Sequence, residues 1–457
     1  MFGKRGRNVA YSVMLVMAMS AGGAACGSSG TGDESSGRTL NVPADHATIQ
    51  EAVDAAEPGD LVLIAEGVYH EAVDVVTDDI VIRGIDRNKV ILDGEFELTN
   101  AFKVVGADGV AIENLTSRHY TSNSFYWTGV DGYRASYVTS YRTGDYGIYA
   151  FDSVNGLIEH SYASGSRDAG VYIGQCYPCN AVIDDVVSEW NGLGYSGTNS
   201  GGNLLIVNST WRNNRAGIVP NTGSYELCYP QRETTIVGNI VHGNQNADTP
   251  AIDVALLAMG NGILVAGGIG NVIERNLVFD HERTGIGIVP FPEDGPSDVP
   301  NDDPATLEVP CKDAPAPTVT PTDLPASVLW SSKNNRIIGN TVSESGVADI
   351  AVGDLGADVP SLGNCFSGNT FGTSAPSAVE SLAPCDGTID TAGDWKTGAL
   401  DLVALIAATR PPEKDWRTTP EPAAQPNMPD AATAKASPAR GLPLKVDLAA
   451  IKVPARP

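Results

Sequence analysis

Two carboxylates and two phenols recur at fixed offsets from a column of glycines. The glycines are Gly129, Gly147, Gly170, Gly194, Gly217, Gly262 and Gly285, each in a short apolar segment. Two places before them stand Trp127, Asp145, Asp168, Gly192, Arg215, Gly260 and Arg283; two places after stand Asp131, Tyr149, Tyr172, Ser196, Val219, Leu264 and Gly287. In a strand, the neighbours of an inward side chain point outward, so both columns belong to one outer face. Asp145 and Asp168 then lie on adjacent strands, about 5 Å apart along the backbone stack. Repulsion between them raises one pKa and separates an acid from a base. Tyr149 and Tyr172 flank the pair as stacking surfaces or proton donors. Arg215 is placed to neutralise a uronate carboxylate, which proton abstraction beside that group requires. Arg167 is a second candidate for this role. HYTSNSFYW (119–127) offers Tyr126 and Trp127 as a sugar platform, and Asp131 extends the binding surface.

Blander readings stand beside these. Outward tyrosines in stacked strands stabilise by packing alone. The two carboxylates can face water or hold Ca²⁺, and no other cofactor is implied. His160 reads as a structural replacement for a corner asparagine. GLGYSG (192–197) has the spacing of a dinucleotide loop without its βαβ unit, and CYPC (176–179) lacks a thioredoxin-like surround. H-E-x-x-H, Walker A and G-x-S-x-G motifs are absent.

The elements that position these residues are repeats. LLIVNSTWRNNRAGIV (204–219) recurs as NVIERNLVFDHERTGIGIV (271–289) and NRIIGNTV (335–342). With Asn208 as the corner, the counterparts are Asn114, Ser136, His160, Asp185, Asn239, Asn276, Asn340 and Asn369. From Asn114 to Asn208 the steps are 22, 24, 25 and 23 residues, then they lengthen to 31, 37, 64 and 29. Three short strands and three turns fill such a step. Asparagine at a recurring corner can stack into an amide ladder. Two insertions interrupt the array: 244–260, with a short helical piece, and the Pro-rich, acidic 290–330, a candidate lid. ATIQEAVDAA (47–56) puts Ile49, Ala52, Val53 and Ala56 on one helical face, suited to closing an open end.

The opening TIQEAV…PGD…GVYHE resembles the N-terminal cap of pectin-lyase-like right-handed parallel β-helix proteins, and the Asn/Gly-punctuated copies resemble their coils. The resemblance spans 40–385. It implies an all-β fold: a single right-handed parallel β-helix of about nine coils, with an N-terminal capping helix and long turn insertions. That architecture hosts lyases, epimerases, hydrolases and non-catalytic proteins. The Asp-Pro-His-Asp signature of the alginate epimerases and the pectin methylesterase set are not found here.

The N-terminus carries Lys4, Arg5 and Arg7, an apolar run and small residues before Cys26, which resembles a bacterial lipobox with Gly23 in place of the usual Leu. Residues 1–25 therefore read as a signal peptide, Cys26 as a lipidation site and 26–39 as a linker. The expected location is extracytoplasmic, anchored by lipid or secreted. Six cysteines remain: Cys176, Cys179, Cys228, Cys311, Cys365 and Cys385. In an oxidising compartment they form disulfides, and proximity favours 176–179, 365–385 and 228–311 among fifteen pairings. GALDLVALIAATR (398–410) reads as a helix capping the far end, and the Pro/Ala-rich remainder of 386–457 as extended or disordered. A net charge of −26 argues against nucleic acid or an anionic membrane as partner. The expected function is to act on or bind an acidic polysaccharide, as a monomer. The alternative is a non-catalytic cell-surface module.

Overall fold

The computed structural model describes residues 37–301, 303–314, 322–441 and 445–457. The expected signal peptide, Cys26 and all but the end of the expected linker lie outside them. Three parallel sheets wrap one core. The chain visits the first, second and third sheet in turn, so neighbours within a sheet come from successive coils. The sheets hold twelve, ten and eleven strands, which makes ten complete coils rather than about nine. This is a right-handed parallel β-helix. Inward side chains stack on their equivalents: Ile82 on Ile112, and Ile158, Ile183, Ile206 and Ile236 in succession, all fully buried. Burial of this kind contributes about 2 kcal/mol per side chain. Helix α1 (Ile49–Ala55), capped by Thr48, closes the N-terminal end with Ile49, Ala52 and Val53 buried.

The amide ladder sits one residue later than the spacing suggested. Asn208 pairs in register with Gly238, and Asn114 with Tyr137, because Val207 faces Val237 and Glu113 faces Ser136. Asn208, Gly238 and Arg275 all have φ between 47° and 70°. The corner is left-handed, which Asn and Gly tolerate best. His160 shares this corner (φ 48°), with Nδ1 2.7 Å from Asp185. The inward ladder is the next position, where Asn239, Asn276, Asn340 and Asn369 are linked amide to amide at 3.0 Å. Two further ladders mark the other corners: Gln231–Asn271–Asn335–Asn364, and Asn191–Asn214–Asn244 ending on His281.

Among the described residues, both insertions carry regular elements. Helix α2 (Asp253–Ala258) forms in the first. In the second, Phe291–Asp294 and Ser327–Trp330 pair antiparallel, and helix α3 (Pro304–Leu307) lies between them. Disulfides join Cys176–Cys179, Cys228–Cys311 and Cys365–Cys385. The C-terminal end is closed by helix α4 (Val379–Leu382), whose Val379 packs into the core. Helix α5 (Leu402–Ala407) instead lies on the side of the solenoid, where Leu400 meets Ala348 and Ala351.

The described residues of the remaining tail form a strap along the coils. Arginines on the coils grip its backbone carbonyls: Arg215 holds Pro411 and Pro412, Arg142 holds Thr419, Arg87 holds Pro426 and Arg83 holds Ala434. The strap reaches the first coils, where Arg440 pairs with Asp78 and Asp79. It then returns along the first sheet, and Arg456 pairs with Glu344. The described tail residues are held in this way because buried guanidinium groups need acceptors and proline-rich backbone offers them.

Candidate functional site

The third sheet fixes which residues share the outer face. Tyr126 pairs with Tyr149, Tyr149 with Tyr172, and Tyr172 with Ser196. The rings stack, with centroids 5.0 Å apart for Tyr126–Tyr149 and 4.8 Å for Tyr149–Tyr172. A methyl group on Gly147 would stand 2.5 Å from the Gly170 carbonyl oxygen, which is why the column beneath is glycine. Gly129 is not part of it. It lies only 18 residues before Gly147, less than one coil, and Ser124 occupies the equivalent place. Two expectations fall with that register. Trp127 points inward, fully buried, its ring 5.9 Å from that of Tyr133. Asp131 begins a strand of the first sheet and is exposed, accepting from Asn155. Ser122 takes the place assigned to Trp127 and donates to Asp145 Oδ2 at 2.8 Å.

Asp145 and Asp168 do occupy adjacent coils, with Asp168 N–H bonded to the Asp145 carbonyl at 3.0 Å. Asp145 is partly exposed, whereas Asp168 is buried and accepts from the Tyr146 hydroxyl at 2.5 Å. Burial pushes the Asp168 carboxyl up to about 7; the Tyr146 bond opposes this, and the Asp145 charge adds to it. The expected rise is present, but desolvation outweighs repulsion as its cause.

The second perturbed acid is Glu226, which the repeats do not contain. It lies on the loop after the strand Ala216–Asn221. The Tyr172 hydroxyl sits 2.6 and 2.7 Å from its two oxygens. Burial pushes Glu226 up to about 7, and the Asp168 charge reinforces the shift. Asp168, Glu226 and Tyr146 line one cleft of about 100 Å³. Glu293, from the second insertion, holds the loop by accepting from Ser224 N and Oγ and from Trp330 Nε1. The Cys228–Cys311 disulfide ties the same loop to that insertion. The sequence signal for Glu226 was the step of 31 residues after Asn208, which marks extra chain between coils.

Arg215 does not face the groove. It is fully buried and donates to the carbonyls of Pro411, Pro412, Thr249 and Ala247 at 2.7–3.2 Å. Its outward column position is covered by the strap and the first insertion, so no substrate carboxylate reaches it. Arg167 does face a groove. It pairs with Glu413 at 2.8 Å in a polar cleft of about 460 Å³, which Asp145, Lys414, Trp416 and Arg417 also line. Among the described residues, no group of three or more His, Cys, Asp or Glu is gathered to hold a metal ion.

A family model described as "Right handed beta helix region" matches residues 123–290. No curated protein matches the chain in sequence. Solved structures with a similar chain path include the A-module of the Azotobacter vinelandii mannuronan C-5 epimerase AlgE6, at 15% identity over 72% of this chain and 94% of that one, with a TM-score of 0.41. A rhamnogalacturonan lyase is 11% identical over 74% of this chain and 86% of that one, with a TM-score of 0.45. An alginate lyase from Paenibacillus sp. str. FPU-7 is 15% identical over 55% and 90%, with a TM-score of 0.31. At this distance no activity passes from those proteins to this one.

Proposed function

We propose that the chain is an extracytoplasmic protein, anchored through Cys26, that cleaves an acidic polysaccharide by general acid–base chemistry. The observation that carries this reading is the shared cleft of Asp168 and Glu226. Both carboxyls are pushed up to about 7, and each is hydrogen-bonded to a tyrosine. Near neutrality such a pair supplies one protonated and one ionised member, the two states that glycosidic hydrolysis requires. Tyr126 and Tyr149 present a stacked aromatic surface beside it for sugar rings. Arg167 and Lys414 line the neighbouring polar cleft and supply cations for uronate groups. Hydrolysis is favoured over a lyase or epimerase reaction because Arg215 is occupied by carbonyls and Arg167 lines the neighbouring cleft rather than that of Asp168 and Glu226.

A second reading, a non-catalytic glycan-binding module, is favoured by one observation: Asp168 is only 9% exposed, so substrate meets it through a narrow opening. A panel of uronic-acid polymers, incubated with and without Ca²⁺, separates the two. Cleavage followed by reducing ends is expected, with a bell-shaped pH profile centred near 7. Asp168→Asn and Glu226→Gln should each lower turnover about 10²–10⁴-fold. Binding without turnover on every polymer, unaffected by both substitutions, would leave the binding module.

A further inference from the structure

Beyond the acid cleft, the outer face of the third sheet continues into an apolar one. Asn221 and Val254 line both clefts. Val219 and Leu264 form its floor, and Leu257 of α2 with Leu402 and Leu405 of α5 form its walls. Its volume is about 70 Å³, which accommodates about five to seven heavy atoms.

Arg283 also lines this cleft, two residues ahead of Gly285, in the coil position that Asp145 and Asp168 hold elsewhere. The side chain is half-buried, and its one hydrogen bond is a long one, from Nη1 to the Leu257 carbonyl at 3.5 Å. It forms no ion pair among the described residues. Arg410 lines the same cleft, but it is engaged by carbonyls of Leu256, Leu405 and Ile406. Burial and the charge of Arg410 weigh against the Arg283 cation, and the nearby Glu282 charge only partly opposes them. A guanidinium with unused donors, held among leucines and beside a second cation, lacks its anion.

We propose that this cleft binds a small organic monoanion: an apolar body of about five carbons fills it between α2 and α5, and the carboxylate sits at its edge on Arg283. The site is separate from the carboxyl pair and stands whether or not the protein cleaves a glycan.

The test is calorimetric titration of the full chain with hexanoate, with acetate and 1-hexanol as controls. Saturable one-site binding of hexanoate is expected near 1 mM, with both controls at least about tenfold weaker. Arg283→Met should weaken hexanoate about tenfold or more and leave 1-hexanol unchanged. Arg283→Lys should retain most of the affinity. Leu264→Trp should fill the cleft and abolish binding, with the urea midpoint of each variant reporting that it is folded. Hexanoate binding no tighter than acetate, or unchanged in Arg283→Met, would overturn the proposal.

Discussion

The outer face of the third sheet and the inner corners of the C-terminal coils use the same geometric device with opposite outcomes. In both, one side chain per coil sits beside its equivalent on the next. At the corners the repeated residue is asparagine, which donates and accepts. Asn276 accepts from Asn239, donates to Asn340 and also reaches the Ile236 carbonyl. Every group is satisfied, so burial there is stabilising. On the outer face the repeated residue is aspartate, which when ionised only accepts. Each carboxylate must find a hydroxyl from elsewhere, Ser122 for Asp145 and Tyr146 for Asp168. Burial then opposes the charge instead of supporting it. Stacking amides builds a scaffold; stacking acids leaves a buried carboxyl whose charge is disfavoured.

Substitutions test that contrast. Asn276→Ala should be the most damaging, costing about 4 kcal/mol in urea denaturation, because it orphans buried donors and acceptors on two neighbouring coils. Asp168→Asn should act in the other direction. The folded carboxyl titrates near 7 and the free one near 3.8. Between those values the native state holds a proton the unfolded chain has lost, so stability falls as pH rises through the window. The asparagine variant escapes that fall and should gain up to about 4 kcal/mol above pH 7 while little changes at pH 4, as pH-dependent melting would show. Equal loss at both pH values would place Asp168 with the scaffold. Tyr149→Ala should cost about 2 kcal/mol by the same denaturation, since the ring stacks on Tyr126, Phe151 and Tyr172 but is partly exposed. Asn208→Gly should change stability by less than about 0.5 kcal/mol, because its exposed corner already has a left-handed backbone. Asn208 and the ladder thus differ by one residue in position and several kcal/mol in consequence.

That one residue measures what was legible in the chain. The corner column, the capping helix and the three-strand coil follow from residues that repeat, and repetition survives small errors of phase. Asp145, Asp168, Tyr149 and Tyr172 share a face because their 23-residue spacing is the coil itself. Trp127 and Asp131 were misplaced by anchoring on Gly129, whose step of 18 residues is too short for a turn of this helix. Arg215 has the right phase but is covered by segments far away in sequence, which periodicity cannot report. Glu226 belongs to an inserted loop with no partner copy. The strap was unreadable for a different reason: many of its contacts are made by backbone carbonyls, and composition carries no record of those.

The strap also changes what kind of object the solenoid is. A stack of coils in contact only with its neighbours is one-dimensional, and its ends can fray independently. Here the Arg83 guanidinium meets the carbonyl of Ala434, 351 residues away, and Arg440 meets Asp79 across 361. The return leg then carries Arg456 to Glu344 near the opposite end. The first coils cannot peel without releasing a segment that also grips the middle and the last. Loops of this length form slowly, because chain closure must precede the contacts that reward it. The molecule is therefore expected to unfold as a laced tube, with the tail coupling both ends into one cooperative unit.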